Sequence, residues 1–339
     1  MKNKTINNYS EFELINAISK KIPINKNKDL ILGSGDDSAI YKTSKNVLTV
    51  TSIDSFVENI HWKQNNQNYF NIGLKTINAA VSDLAAMGAK GKFITIACNL
   101  KQNMLYNDFL LLIKGFSKAA NDLSIDIIGG NLSRAKETTI TINAIGEINN
   151  KIGQAHIMKR NNAKIGDKIV LSGKIGGAAA GRHLLQNRNT LIKSQNLINL
   201  FIKPKARVDI AEKIAKLGVK CAIDISDGFM QDLNHICNDS NVDAIIEKKD
   251  IPLYKKSIEI FGSRKAYEFG LNGGEDYELL FTANQNTLLK LKKNNIIFHI
   301  VGEIVKRKKN IKYSTISMTD GEKVDRIFQK KGWDHFQNE

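Results

Sequence analysis

The residues of this chain best suited to chemistry are its carboxylates, and they sit where surface charge is uncommon. Asp36 and Asp37 end a glycine turn, Gly33-Ser34-Gly35-Asp36-Asp37, and Asp54 follows the apolar run Val47 to Ile53. Asp83 lies inside Ala79-Ala80-Val81-Ser82-Asp83-Leu84-Ala85-Ala86-Met87, which is apolar on nearly all sides. Asp224 and Asp227 bracket Ser226 in Ile223-Asp224-Ile225-Ser226-Asp227-Gly228, and Glu275-Asp276 follow Gly273-Gly274. Each has an ordinary explanation when taken singly. An aspartate in a glycine turn is turn chemistry, and one before a helix, such as Asp227, is an N-cap. Asp83 resists this most, because an ionised carboxylate on an apolar helix is costly unless it is paired or bound to a metal. Lys75, Asn78 and Ser82 form a polar stripe on the same helix, which faces either a salt-bridge network or a ligand. Together the clusters suit hard cations. Mg²⁺ takes one or two carboxylates along with phosphate oxygens and waters. Several such ions fit a reaction that brings two phosphate groups together against their mutual repulsion.

The familiar phosphate and hydrolase signatures are missing. The sequence has no G-x-x-x-x-G-K-[ST], no H-R-D or D-F-G pair, no H-E-x-x-H and no G-x-S-x-G. Its six histidines make no metal-ligand spacing, and Cys98, Cys221 and Cys237 form no C-x-x-C pair. The stretch Gly173 to Gly181 has the glycine content of a phosphate loop, although helix packing against a sheet uses Gly and Ala as well.

Positioning these groups requires mixed secondary structure. Ser10-Glu11-Phe12-Glu13 is a capping box, so a first helix is expected from near residue 11. Phe70, Leu74, Ile77, Val81 and Leu84 recur at helical spacing and predict a long buried helix. Strands are expected at 47–53, 92–100, 124–129 and 138–148, with a helix at 104–121. Beyond the Asn149-Asn150-Lys151 break, strands are expected at 168–172, 221–225, 242–247, 277–283 and 297–304. Helices are expected within 173–185, at 195–202 and 206–217, and from Gly228. The 339 residues are too many for one compact core and suit two. The expectation is therefore α/β in class, an α+β N-terminal domain at 1–148 and an α/β C-terminal domain at 149–339. The start MKNKTINNYS lacks an apolar h-region and the longest apolar runs are too short to span a bilayer, so a cytoplasmic protein without membrane contact is expected. The formal charge of +16 comes from scattered lysines, without a nucleic-acid-binding motif. It predicts attraction for anionic substrates such as nucleotides rather than a nucleic-acid partner.

In this order the segments resemble the bacterial thiamine-monophosphate kinases, of the aminoimidazole ribonucleotide synthetase superfamily. The resemblance rests on Gly35-Asp36-Asp37-Ser38-Ala39, Asp54 with Val57-Glu58-Asn59-Ile60-His61-Trp62, and Lys75 and Asn78 leading to Ser82-Asp83-Leu84-Ala85-Ala86-Met87-Gly88-Ala89. It continues through Ile128-Gly129-Gly130-Asn131, Gly166-Asp167, Ile223 to Gly228, Gly273-Gly274-Glu275-Asp276-Tyr277-Glu278-Leu279 and Gly332-Trp333-Asp334-His335-Phe336. It implies a homodimer whose N-terminal strands pair across subunits, with ATP and several Mg²⁺ ions between the two domains. It implies metal ligation by Asp37, Ser52, Asp54, Asp83, Asp224 and Asp227, and by Ile53 through its carbonyl. Gly130, Arg160 and Ser226 would contact ATP, and His61, Glu275 and Trp333 thiamine monophosphate. Arg160 is a fork donor suited to phosphate, Trp333 offers a face for a cationic aromatic ring, and Glu275 would offset the thiazolium charge.

Two positions depart from the family pattern. Asn131-Leu132 stands where the family has Asp-Thr, so Asn131 keeps an oxygen ligand for metal or nucleotide but loses a charge. Ile53 stands where the family has Thr, which only a backbone ligand tolerates. The implied reaction is direct in-line transfer of the γ-phosphoryl group of ATP to the acceptor phosphate. A phosphate monoester has a second pKa of about 6 and needs no general base at neutral pH. The alternatives are a synthetase of the same superfamily with another acceptor, or a nucleotide-binding protein without turnover.

Overall fold

The computed structural model describes residues 30–32, 36–44, 46–63, 67–149, 156–187, 194–308, 313–320 and, by backbone alone, 323–328. The helix expected from residue 11, the glycines at 33 and 35, and Trp333 lie outside the described residues.

The first half builds a six-stranded sheet in the order β1-β2-β3-β6-β4-β5. Its strands are β1 (Leu30–Leu32), β2 (Ala39–Ser44), β3 (Val47–Val57), β4 (Lys90–Lys101), β5 (Asp126–Ala135) and β6 (Thr139–Asn149). Only β4 and β5 pair in parallel, and the other neighbours are antiparallel. Helices α1 (Tyr69–Ala86) and α2 (Tyr106–Leu123) join the strands. Alternation along β6 buries Ile140, Ile142, Ala144 and Ile148 and leaves their neighbours partly open. Opposite them on β3, Leu48, Val50 and Phe56 are buried too, so one face of the sheet carries the core. The other face and the edge strand β5 remain open. Ile53 is 68% exposed, Leu132 62% and Ile128 56%.

Helix α1 is buried nearly all round. Every residue in it except Phe70, Leu74 and Asp83 is buried. The Asn68 side chain caps its start by accepting the Asn71 N–H at 2.9 Å. One side of α1 packs on β3, β6 and α2, while its end, Ala85 and Ala86, belongs to a core cluster of the second half with Met158, Ile210 and Phe281. An amphipathic stripe suffices for a helix on one surface, whereas a helix shared by two cores must be apolar around most of its circumference. Where α1 meets α2, glycines let the backbones touch. A Cβ on Gly115 would overlap the Phe70 carbonyl, and one on Gly73 the Leu112 carbonyl.

The second half holds a seven-stranded sheet in the order β13-β12-β9-β11-β7-β10-β8. The strands are β7 (Lys168–Leu171), β8 (Cys221–Asp224), β9 (Asp243–Glu247), β10 (Leu279–Ala283), β11 (His299–Val305), β12 (Ile316–Asp320) and β13 (Lys323–Phe328). Helices α3 (Gly177–Gln186), α4 (Gln195–Ile202), α5 (Val208–Leu217), α6 (Phe229–Asp239), α7 (Lys255–Asn272) and α8 (Gln285–Lys293) accompany it. Only β12 and β9 run parallel. The mixed α/β class expected from the sequence is what the chain adopts, with mostly antiparallel pairing in both sheets. The glycines at 173–181 serve packing. A Cβ on Gly181 would overlap the Leu197 carbonyl of α4, and one on Gly177 would press on Leu200 and Tyr254. The three cysteines are buried and form no disulfide. Among the described residues no helix is long and apolar enough to cross a membrane.

The contact between α1 and α2 yields a stability prediction. Gly115→Ala gains about 1 kcal/mol of helix propensity but forces apart two backbones that already touch, at a cost of about 1–3 kcal/mol. Urea denaturation should show a net loss of stability. A variant as stable as the parent would mean that the helices separate without penalty.

Candidate active site

Of the aspartates singled out in the sequence, Asp37, Asp54, Asp83, Asp224 and Asp227 gather at the junction of the two halves. Strand β3 contributes Ser52 and Asp54. Their register partners on β6 are Ala144 and Ile142, so both side chains leave on the core face toward α1. Ile53 alternates to the opposite, open face, which leaves only its backbone for the cleft. From α1, Asp83 accepts a hydrogen bond from the Ser52 hydroxyl. Asp37 arrives on the turn before β2. Asp224 ends β8, and Asp227 lies in the turn between β8 and α6. One carboxylate oxygen each from Asp37, Asp83 and Asp224 lies within 4.8 Å of the others. The charges of Asp37 and Asp227 both act on Asp54, which places these groups in one field.

The electrostatics follow from this crowding. Burial, reinforced by Asp37 and Asp227, raises the Asp54 pKa to about 6. Burial, with Asp37 next, raises that of Asp224 to about 7. Asp83 is pushed well above the ordinary aspartate range by burial and then by Asp54, Asp224 and Asp37. Asp36 rises to about 6, through burial and then Asp37. Among the described residues, Arg160 is the cation that answers this charge. The Arg160 guanidinium pairs with Asp37 and lies 3.8 Å from Asp36, whose carboxylate also accepts the Arg160 backbone N–H at 3.2 Å. Among the described residues, Asp37 Oδ2 and Asp224 Oδ2 are buried without a hydrogen-bond partner. An oxygen-only donor set of this spacing, with orphaned lone pairs and too little positive charge, fits a hard divalent cation such as Mg²⁺.

The polar stripe on α1 divides between the two roles open to it. Lys75 is buried and reaches Glu275, with Nζ 2.5 Å from Oε1, while its charge lies 3.7 Å from the centre of the Phe201 ring. Asn78 accepts the Ala206 N–H at 3.3 Å. Ser82 lies beside Asp224 and favours its ionised form. Glu275 also faces Arg182 at 3.7 Å, so its carboxylate is engaged by two cations of the protein itself. Its backbone holds φ at +70°, and the buried Tyr277 at +50°, a left-handed strain that persists only where the surroundings enforce it. His61 is held by local contacts at the end of β3. Its Nδ1 accepts the Val57 N–H at 2.9 Å and its ring meets Phe56 edge-on at 5.8 Å. It lines a small cavity with Phe56, Trp62, Gln67 and Lys75, and through Lys75 this cavity adjoins Glu275. Ser226 supplies a carbonyl that accepts the Glu275 N–H at 2.9 Å.

Two expected nucleotide contacts lie elsewhere. Gly130 and Asn131 are exposed on β5, separated from β3 by β6 and β4, which is roughly 14 Å across the sheet. The glycine stretch at 173–181 is not an open anion cradle, because the Asp276 carboxylate accepts the Gly176 and Ala178 N–H groups at 2.6 and 3.0 Å. Three further groups join the site beyond those to which the resemblance assigned a role. Asp36 anchors Arg160, and Gln231 and Asp232 of α6 brace the turn that carries Asp227. The sequence signal for the last two was their position one helical turn after Asp227 and Gly228.

Comparison with known proteins agrees with this architecture. Residues 35–148 match the AIR synthase related protein N-terminal domain, and residues 164–313 the corresponding C-terminal domain. Thiamine-monophosphate kinase of Buchnera aphidicola subsp. Acyrthosiphon pisum is 36% identical over 340 residues, covering 97% of this chain and 99% of the relative. The enzyme of the same name from Bacillus subtilis is 29% identical and covers 96% and 99%. The structure described as AaThiL complexed with AMPPCP and TMP superposes with a TM-score of 0.84 at 26% identity, covering 99% of this chain and all of that one. Full-length similarity at this level shows that the chain belongs to the thiamine-monophosphate kinase family of phosphotransferases.

Proposed function

We propose that this chain transfers the γ-phosphoryl group of ATP to thiamine monophosphate, giving thiamine diphosphate and ADP. The observation that carries the reading is the convergence of Asp37, Asp54, Asp83, Asp224 and Asp227 on a buried cleft with Arg160 as their nearby counter-charge. The relatives' name and the AMPPCP and TMP of the AaThiL complex supply the substrates.

These five aspartates, with the Ser52 hydroxyl and the Ile53 carbonyl, would hold Mg²⁺. Bound there, Mg²⁺ neutralises the phosphate oxygens of donor and acceptor. Arg160 is the fork donor at hand for ATP once its hold on Asp36 and Asp37 is shared with bound cations, and Ser226 adds a contact from the β8–α6 turn. The acceptor phosphate is largely a dianion at neutral pH, so the protein need only orient it for in-line attack on the γ-phosphorus. No side chain is assigned as a general base. Glu275, His61 and Trp333 are the groups we assign to thiamine monophosphate. Because Lys75 and Arg182 already face Glu275, a thiazolium ring would share that carboxylate rather than meet a free charge.

We take 1–148 as the nucleotide and dimerisation domain and 149–339 as the second domain. Exposed Ile127, Ile128 and Leu132 on an open edge strand favour pairing of β5 with a second copy. That pairing would carry Gly130 and Asn131 to the subunit junction. Asn131 would then serve nucleotide or metal from there.

The direct test is ATP-dependent conversion of thiamine monophosphate to the diphosphate, with thiamine as control acceptor. Asp54→Asn and Asp227→Asn should each lower turnover at limiting Mg²⁺ by on the order of 10²-fold. Near-parental turnover in both would refute metal-assisted transfer at this cleft. The raised aspartates make a second prediction. Asp36 and Asp54 near 6 and Asp224 near 7 hold protons in the folded chain that the unfolded chain, at roughly 3.9, has already released. Metal-free protein should therefore lose stability as pH rises from 5 to 8. Mg²⁺ with a non-hydrolysable ATP analogue should restore more stability at pH 8 than at pH 5. Calorimetric melting reads both effects, and a metal-free Tm that climbs over this range would contradict the assignment.

A further inference from the structure

Asp227 differs from its neighbours in how it is held. Asp54, Asp83 and Asp224 are set by the strand or helix they belong to, whereas Asp227 sits in a three-residue turn with Ser226 and Gly228. The backbone of that turn is fixed from outside. The Ser226 carbonyl accepts the Glu275 N–H, and a Cβ on Gly274 would overlap that same carbonyl. Gly228 has φ at +124°, and a Cβ there would lie 3.0 Å from the Asn272 carbonyl carbon. The Gly228 N–H donates to the buried Asp232 carboxylate at 3.1 Å, one turn into α6. None of these contacts orients the Asp227 side chain. Gln231 does. It is 8% exposed, and its Nε2–H donates to Asp227 Oδ2 at 3.2 Å.

We propose that Gln231 is a positioning residue that fixes the rotation of the Asp227 carboxylate and so sets the affinity of the cleft for its divalent cation. The inference rests on Asp227 being a metal ligand. A ligating carboxylate must present an oxygen in a fixed direction, and hydrogen-bonded partners behind it supply that direction. The type of residue matters. A lysine or arginine at 231 would orient Asp227 but also neutralise it, in competition with the metal. A carboxylate would repel it. A carboxamide donates a hydrogen bond without adding charge, and its burial removes the water that would otherwise compete. Asp232 acts on the same turn through the backbone, so it fixes where Asp227 begins while Gln231 fixes where its oxygens point.

The test uses the full-length chain with Gln231→Met, which keeps the length and removes the donor, and Gln231→Glu, which keeps the shape and replaces the donor with charge. Mg²⁺ is titrated calorimetrically into protein with a non-hydrolysable ATP analogue, so that binding is read without turnover. The Gln231→Met variant should bind Mg²⁺ about 10–100-fold more weakly. Its kcat should return to the parental value at saturating Mg²⁺, and its metal-free form should still melt in a single cooperative transition. The Gln231→Glu variant adds a charge that attracts the cation, so at pH 8 it should recover part of the affinity lost in Gln231→Met. Unchanged Mg²⁺ affinity in Gln231→Met would overturn the proposal. So would a fall in kcat that added Mg²⁺ does not rescue, since that is the mark of a packing role. If the parent binds Mg²⁺ and analogue but leaves thiamine monophosphate untouched, the acceptor assignment fails and the role of Gln231 is still decided by the titration.

Discussion

Several aspartates share a buried volume in which they cannot all be charged unless positive charge enters with them. Two unit charges 4 Å apart repel by roughly 4 kcal/mol at an effective dielectric constant near 20. Asp54, Asp83 and Asp224 each feel more than one neighbour as well as the cost of burial. Arg160 answers for part of the charge, on Asp36 and Asp37. The rest is held as protons with raised pKa values, or by divalent cations brought with an anionic substrate. This debt of charge makes the cleft a device for gathering metal and phosphate, since the same ions that relieve the aspartates relieve donor and acceptor.

The fold is arranged to sustain that crowding. Helix α1 is shared by the cores of both halves, so Asp83 and Ser82 are carried on an element that cannot retreat without breaking packing on two sides. Strand β3 is braced along its whole length by β6, which fixes Ser52 and Asp54 on the core face. The short strand β8 lies at the edge of the second sheet and delivers Asp224 at its end, with the 226–228 turn pinned from the 273–277 segment. Rigidity of this kind preserves a repulsive arrangement that a softer scaffold would relieve by moving apart. The left-handed backbone at Glu275 and Tyr277 belongs to the same bracing, because the segment that holds the turn also carries the Lys75 partner.

Much of this was legible in the sequence, and the reasons are physical. The heptad-like apolar recurrence from Phe70 to Leu84 announced α1, and an aspartate within it had to face something polar or ionic. Aspartates after apolar runs marked strands β8, which ends at Asp224, and β3, which runs on past Asp54 to Val57 and so carries that aspartate within it. Other features left no local trace. Helix α7 has a break at Gly262 and no apolar stripe, so periodicity could not find it. Lys75 meets Glu275, and Asp276 fills the amides of Gly176 and Ala178, across long stretches of chain that only the fold brings together. The glycine stretch at 173–181 looked able to bind phosphate because composition cannot tell an open cradle from a helix start already capped by the protein. The brace from Gln231 was present as a simple four-residue spacing, but its meaning depends on Asp227 first being recognised as a ligand.

The central claim is that these aspartates converge to share cations with the substrates. A crystal grown with Mn²⁺ and a non-hydrolysable ATP analogue, and measured at the manganese absorption edge, tests it most directly. The account predicts anomalous peaks between the nucleotide phosphates and the carboxylates of Asp37, Asp54, Asp83, Asp224 and Asp227. Peaks coordinated by phosphate and water alone, with those carboxylates turned aside, would contradict it.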